Sequence, residues 1–361
     1  MDRPHQQKYR IMGLQWPVHA IGLMSGTSLD GLDICAVRFE QDGSWEIVAF
    51  ETASYAVDLK TALQDARALS GLALTELHFR FGRFQAERVL EFCARHAFTP
   101  DYVAAHGHTV FHQPAKGYSL QIGEGETMAA LLKCTVINDF RIRDIATGGQ
   151  GAPLVPAGEV ALFPQYSAFL NLGGIANIHI VDTAAYDVCP CNMLLNDWIS
   201  GMGLAYDAEG QLATSGHLIP ELLDALNGIN WYTLPAPKSL GAEWYADHIP
   251  KVYAGFQAHP LADLLHTACH HIAQQICAAI PADCQQVLVT GGGAYHDFLM
   301  QCLMFYRPDT EWVIPDARVV ESKEALVFAW LGLRVLQGKG NVLHRLTGGA
   351  AGLVAGSVHL Y

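Results

Sequence analysis

The chain has 361 residues, 51% hydrophobic and 16% charged, which excludes a disordered protein and suits two domains sharing a cleft. A net charge of −13 with no dense Lys/Arg stretch argues against nucleic acid as the main partner. No apolar run reaches the length of a membrane span, so the sequence reads as soluble with no membrane partner.

Residues 1–17 start polar and lack an apolar signal-peptide core, so they read as a loose N-terminal extension. The apolar run Ala20–Met24 then meets a small-residue turn, Ser25-Gly26-Thr27-Ser28-Leu29-Asp30-Gly31. A second run, Leu32 to Val37 with Asp33 inside it, leads out. Two apolar runs about a polar turn predict a β-hairpin whose backbone N–H groups and hydroxyls suit phosphate oxygens. It is not a Walker A loop, because no Gly-Lys-Ser/Thr follows and the next element reads as a strand. Asp30 and Asp33 flank the turn, as holding the waters of a nucleotide-bound magnesium ion requires.

Asp58–His96 has helical spacing with a break at Ser70-Gly71. Tyr102–Ala105 is a short buried strand that delivers His106 at its end, where α/β sheets collect ligands. His106, His108 and His112 lie close together, but the nearest acid, Asp101, is at the other end of the strand. Hydrogen bonding at a ligand is therefore preferred to metal binding. A strand carrying Gln121, a helix Glu126–Lys133 and a strand Thr135–Asn138 follow. Asp139, Arg141, Arg143 and Asp144 then precede the flexible Ala146–Pro156 segment. Such a cluster is either a solvated surface network or a substrate loop with a bidentate arginine for a carboxylate.

The second half repeats the pattern. Phe169–Leu172, the turn Gly173-Gly174 and Asn177–Val181 form another hairpin, about 150 residues after the first, which suggests two related domains. The boundary is placed near Pro164, giving domains 18–164 and 165–361, with a C-terminal tail that can pack back on the first domain. Asp187 precedes Cys189-Pro190-Cys191-Asn192 and a helix, and the lack of a second cysteine pair argues against metal or disulfide there. The nine cysteines, many in apolar stretches, fit reduced thiols in a cytoplasmic protein. Lys238 sits in a loop, and Pro260–Ile280 is an amphipathic helix whose His266 and His270 read as structural. Gly291-Gly292-Gly293 follows a strand and lets backbone approach a ligand. A last helix spans Glu324–Gln337, where Glu324 is either functional or a first-turn acid favoured by the helix dipole.

The string Met24 to Gly31 resembles the signature of the anhydro-N-acetylmuramic acid kinase family, within the actin-like, sugar-kinase and heat-shock-chaperone ATPase superfamily. Asp139–Asp144 with Gly148–Pro156, Asp187–Leu194, Pro237–Gly241, Gly291–Tyr295 and Thr347–Ala350 also resemble family strings, in order, from about His19 to Gly356. The resemblance implies an α/β fold of two related actin-like (ribonuclease H-like) ATPase domains around a central nucleotide and sugar cleft. It implies ATP and Mg²⁺ as cofactors and a homodimer. Ser25 to Asp33, Gly173, Gly174 and Gly291 to Gly293 would bind nucleotide, with Asp30 and Asp33 reaching the metal through water. His106, Gln121, Arg141, Arg143 and Asn192 would bind the sugar. Asp187 would be the general base, assisted by Glu324, in a kinase that opens 1,6-anhydro-N-acetylmuramic acid with water and phosphorylates its 6-oxygen. That activity belongs to peptidoglycan recycling.

The chain departs from the family pattern at several positions. Ala105 replaces Ser, His108 replaces Gln, Cys189 and Cys191 replace glycines, Asn196 replaces Asp, and His296 replaces Asn. A cysteine forced to positive φ would be strained. The alternatives are a kinase of the same fold for a non-anhydro sugar, or a non-catalytic nucleotide-binding member.

Overall fold

The computed structural model describes residues 13–26 and 29–361. The N-terminal extension up to residue 12, and Thr27 and Ser28 of the first hairpin turn, lie outside the described residues. The chain divides into two compact units, one of Met1–Phe163 with Ser322–Tyr361 and one of Pro164–Glu321. Strands β1 (Val18–Ser25), β2 (Leu32–Phe39), β3 (Trp45–Ala53), β4 (Tyr102–Ala105), β5 (His108–Gln113), β6 (Tyr118–Ile122) and β7 (Thr135–Asn138) come first. Strands β8 (Ala168–Leu172), β9 (Ile175–Ile180), β10 (Ala184–Pro190), β11 (Gln286–Thr290) and β12 (Glu311–Val313) follow, and β13 (Ser357–His359) ends the series.

In the first unit the sheet runs β13-β7-β4-β1-β2-β3. Strands β1, β2 and β3 form an antiparallel meander, while β4 runs parallel to β1 and β7 parallel to β4. Every residue of β4 and β7 is buried, the pattern of strands covered on both faces. The helix Gly71–His96 buries Leu77, Phe81, Val89 and Phe92, and Ser70 caps its first turn by accepting from the Ala73 N–H. That cap is the break expected at Ser70-Gly71.

The long helix Ala317–Leu336 belongs to this sheet. A Cβ on Gly22 of β1 would lie 1.8 Å from the Ala325 carbonyl oxygen, and one on Gly332 would lie 2.7 Å from Ala104 Cβ of β4. The Tyr102 hydroxyl donates to the Ala329 carbonyl at 2.6 Å. Strand β13 then pairs antiparallel with β7. One expectation is refined and another changes as a result. The part of the C-terminus that lies with the first unit begins at Ser322 and so takes in most of the last helix as well as the tail. The helix starts at Ala317, so Glu324 sits about two turns inside it and is not a first-turn acid stabilised by the dipole.

The second unit repeats the topology. Its sheet runs β10-β9-β8-β11-β12, with β8, β9 and β10 as an antiparallel meander and β11 and β12 added in parallel. Counting only the strands of each main sheet in chain order, both share the order third, second, first, fourth, fifth, and the first sheet adds β13 as a sixth strand beyond β7. The duplication inferred from two hairpins is thus present in the whole topology. The helix Leu261–Ala279 fills the core of this unit with Leu265, Cys269, Ile272 and Ile276. Cys189 and Cys191 are also core residues, fully buried, and the Cys191 thiol is pushed up to about 12 by burial. Cys191 has φ −122°, and neither cysteine is among the positive-φ residues. The strain expected from losing two glycines is absent, because β10 bulges between Asp187 and Cys189 and both thiols turn into the core as small hydrophobes. Among the described residues no helix is long and apolar enough to cross a membrane.

The close approach at Gly22 gives a direct test. Gly22→Ala places a methyl inside helix backbone that cannot swing away, and overpacking of this kind destabilises by about 1–3 kcal/mol or more. An unfolding free energy from urea titration lowered by that amount is the expected result.

Candidate active site

In the first unit, the turn between β1 and β2 is anchored from below. Leu29, with φ 54°, buries its side chain beside Leu59, Leu63 and Phe81, and its N–H donates to the Gly26 carbonyl at 3.3 Å. A Cβ on Gly31 would lie 2.5 Å from Thr52 Cγ2, so the turn leaves no room for a larger residue. Ser25 was expected to offer its hydroxyl to phosphate. Instead Ser25 Oγ is buried, accepts from the Tyr55 hydroxyl at 2.8 Å and meets His108 Nδ1 at 3.3 Å. His108 also bonds the Leu63 backbone, so its Nδ1 is the acceptor of the Ser25 proton. His108, which stands where the family has Gln, therefore completes a three-residue relay under the turn.

Asp30 is exposed, Leu32 is buried, and the Asp33 carboxylate accepts from Thr52 Oγ1 at 2.6 Å. Among the described residues no group of three or more His, Cys, Asp or Glu is arranged to hold a metal directly. Two hard carboxylates flanking the turn fit a magnesium ion held through its waters.

His106, which is buried, and Arg141 form a polar pair in this unit. Arg141 Nη2 and Nε lie 2.8 and 3.3 Å from His106 Nε2, and Arg141 Nη1 donates to the Gly151 carbonyl at 2.8 Å. A guanidinium only donates, so Nε2 is the acceptor and the proton sits on Nδ1, which lies 2.9 Å from the Gly107 carbonyl. Burial, and then the Arg141 charge, hold the His106 pKa well below its ordinary value, so the ring is neutral. Burial also lowers Arg141 to about 10, opposed by Glu324. Glu324 is raised, first by desolvation, with Lys323 and Arg141 pulling it back and Glu159 pushing it up. Beside it, Lys323 and Glu159 form an ion pair of 2.6 Å, each side chain only 4% exposed.

Arg143 is elsewhere: it is exposed and donates to the Val354 carbonyl, so it straps the C-terminal segment. Gln121 is buried, with Nε2 donating to Ser119 Oγ at 2.8 Å and Thr109 Oγ1 at 3.2 Å, and with Oε1 unpartnered. Asp144, read as one member of a charged cluster, is fully buried and accepts from the Gly151 N–H at 2.7 Å and Thr347 Oγ1 at 2.8 Å. It ties the Gly148–Gly151 loop to the Thr347–Gly349 segment, where Cβ atoms on Gly149 or Gly349 would strike its oxygens at 2.1 Å. The glycines around both segments were the available sequence signal.

In the second unit the β8–β9 turn, Gly173-Gly174, receives the helix Asn192–Ser200: Asn192 N–H donates to Gly173 O at 3.1 Å, and the Cys191 and Met193 N–H groups donate to Gly174 O. The Asn192 side chain donates to the Leu172 carbonyl at 3.0 Å and faces the Gly292-Gly293 backbone. Asn192, Asn196, Tyr206, Glu209, Gly293 and Tyr295 line a cavity of about 490 Å³. Asn192 thus lies beside the glycine turn. Gly291 has φ 83°, and a Cβ there would meet Asn171 Oδ1 at 2.4 Å.

Asp187 is a strand residue on β10. Its Oδ2 accepts from the Leu240 N–H at 2.8 Å and Ser239 Oγ at 3.0 Å, while Oδ1 accepts no hydrogen bond from the described residues. Burial raises its pKa, and those two bonds oppose the rise. The arrangement presents one half-buried carboxylate oxygen with enhanced basicity. Ser239 and Leu240 were missed as its partners, although their Pro237–Gly241 string stood out in the sequence.

Two α/β units of the same five-strand order, each with a glycine-bearing hairpin, define a chain of the duplicated actin-like class. Within it, the chain belongs to the anhydro-N-acetylmuramic acid kinase family, whose family model matches residues 18–360. The chain is also similar to three solved structures. One is the activator of the 2-hydroxyisocaproyl-CoA dehydratase from Clostridium difficile with bound ADPNP (12% identity, 89% of this chain and 96% of that one, TM-score 0.44). Another is component A of the (R)-2-hydroxyglutaryl-CoA dehydratase of Acidaminococcus fermentans (10% identity, 86% and 96%, TM-score 0.46). The third is a ROK family protein from Streptococcus pneumoniae in complex with sucrose (9% identity, 88% and 100%, TM-score 0.39). The assignment rests on the family match and the topology, not on these distant likenesses.

The neutral His106 makes stability pH-dependent. Its folded pKa lies below the unfolded value of about 6.5, so stability is full above that pH and falls as pH drops, by about 1.4 kcal/mol per unit. Urea titrations between pH 7.5 and 5 should show a shallower acid loss in His106→Asn than in the parent.

Proposed function

We propose that the protein uses ATP and water to convert 1,6-anhydro-N-acetylmuramic acid to N-acetylmuramic acid 6-phosphate and ADP, as a homodimer in the cytoplasm of a bacterium that recycles peptidoglycan. The observation that carries this reading is the half-buried Asp187 carboxylate, held at Oδ2 and open at Oδ1. Asp187 takes a proton from water as the water oxygen bonds to the anomeric carbon. The bond from that carbon to the 6-oxygen breaks, and the released 6-oxygen attacks the γ-phosphorus of ATP, expelling ADP. The ring opening and the phosphoryl transfer thus share one electron flow, and no free 6-hydroxyl is needed at the start.

A carboxylate suits this role because it is ionised at neutral pH, and burial raises its basicity above that of an exposed acid. The Ser25–Asp33 turn and the Gly173-Gly174 turn bind phosphates, and the cavity beside Gly292 and Gly293 takes the nucleoside. Asp30 and Asp33 hold the waters of Mg²⁺, which when bound neutralises charge on the phosphates. His106, Gln121 and Arg141 contact the sugar. The neutral His106 holds Arg141 with two N–H groups still unused, enough for a substrate carboxylate. Arg141 fits that role better than Arg143, which is exposed and engaged with the Val354 carbonyl.

The test is mass spectrometry of rapidly quenched turnovers in ¹⁸O-labelled water with ATP, Mg²⁺ and the anhydro sugar. A 6-phosphorylated sugar labelled at the anomeric oxygen, faster than unlabelled product exchanges, is expected from the parent. In Asp187→Asn the rate should fall by about 10²–10⁴-fold. Phosphorylation of free sugars without any reaction of the anhydro sugar would instead identify an ordinary sugar kinase.

A further inference from the structure

Asp187 is gripped by three consecutive residues that lie in no helix or strand. Its own N–H donates to the Lys238 carbonyl at 3.0 Å, the Ser239 hydroxyl donates to Oδ2 at 3.0 Å, and the Leu240 N–H donates to Oδ2 at 2.8 Å. An irregular loop has no ladder of its own to hold it in one place, so some other contact must set its position.

One such contact is the buried Leu240 side chain, and the polar one is the Lys238 ammonium. It is turned inward, donating to the Trp231 carbonyl at 3.3 Å and the Tyr232 carbonyl at 3.1 Å, and it stands 4.2 Å from the centre of the Trp231 ring. Both anchors are themselves fixed. Trp231 packs against the rings of Tyr232 and Trp244. The Tyr232 hydroxyl lies 3.0 Å from His271 Nε2, and His271 Nδ1 lies 2.7 Å from Asn227 Oδ1. His271 is fully buried on the core helix Leu261–Ala279, and burial takes its pKa down to about 3. A neutral ring that donates from Nδ1 to the Asn227 oxygen must accept at Nε2, so the Tyr232 proton has a defined destination. An unbroken run of bonds therefore joins the core helix to the Asp187 carboxylate.

We propose that Lys238 is a positioning residue for the catalytic carboxylate. Its ammonium pins the 238–240 loop, the loop holds Oδ2, and Oδ1 is left to receive the proton of the attacking water. The two donors on Oδ2 also favour the ionised carboxylate against the burial that disfavours it. This rests on Asp187 being the base.

Lys238→Met keeps the apolar stem and removes the cation. With ATP and the anhydro sugar, kcat should fall by about tenfold or more while KM for ATP changes by less than about twofold. The acidic limb of the kcat/KM profile should move to higher pH, because the carboxylate loses donors that favour its charged form. Lys238→Arg, which restores a cation over the ring, should return the limb toward its parental position. Ser239→Ala, altered at an exposed loop tip, should move the limb in the same direction by less. An intact Lys238→Met enzyme with unmoved limb and kcat overturns the proposal. If Lys238→Met does not fold, an unmoved limb in Ser239→Ala does so. Asp187→Asn separates the two levels: wild-type turnover there removes the base reading itself, whereas a dead Asp187→Asn beside an unaffected Lys238→Met removes only the positioning role.

Discussion

The first unit depends on a backbone contact that only glycine permits. Gly22, in the middle of the first strand, lets the helix Ala317–Leu336 descend until its Ala325 carbonyl occupies the space of a side chain. Gly332 repeats the approach over β4. Because the helix lies so low, Tyr102 can bond its backbone and Lys323 can reach Glu159 in the interior. A buried ion pair is weak grounds for stability, since desolvating both charges offsets much of their attraction. It is better understood as a register mark, because sliding the helix by one residue would strand both charges. The same placement brings Glu324 into the field of Arg141, which is how a residue near the end of the chain comes to influence a loop near residue 141.

The second unit solves a different problem: how to keep a carboxylate basic without leaving it loose. Burial raises the Asp187 pKa, and two donors on a single oxygen limit the rise. Using one oxygen for structure leaves the other free. The Cys189 and Cys191 replacements do not disturb this arrangement. The bulge after Asp187 lets both thiols turn into the core while Asp187 keeps its strand pairing with Asn177. What a glycine pair would achieve through backbone freedom is achieved here by small side chains with somewhere to go.

Much of this was legible from residues alone. The run Tyr102–Ala105 announced a buried strand, and the two hairpins with small-residue turns announced the duplication. The Ser70 cap marked its helix boundary. Other features were not legible because they are tertiary. Nothing local says that the helix holding Glu324 starts at Ala317 and returns to the first sheet. Nothing local separates Arg141, which faces a histidine, from Arg143, which faces a carbonyl two hundred positions on in a segment that looks like a tail. Nor does anything local show that the Ser25 hydroxyl is engaged by Tyr55 and His108.

The histidines carry the common physical theme. His106, His108 and His271 are each buried, each bonded at both ring nitrogens, and each has its pKa lowered by desolvation first. A buried imidazole with one fixed donor and one fixed acceptor acts as a rigid directional joint, because reversing it would break two bonds at once. One such joint sits under the first turn, one behind Arg141, and one behind the loop that grips Asp187. In a protein this poor in charge, neutral histidine provides direction without the desolvation penalty of another ion. That is how His106 and His108, two of the three clustered histidines in the sequence, and His271, which the sequence did not single out, come to serve as parts of the frame.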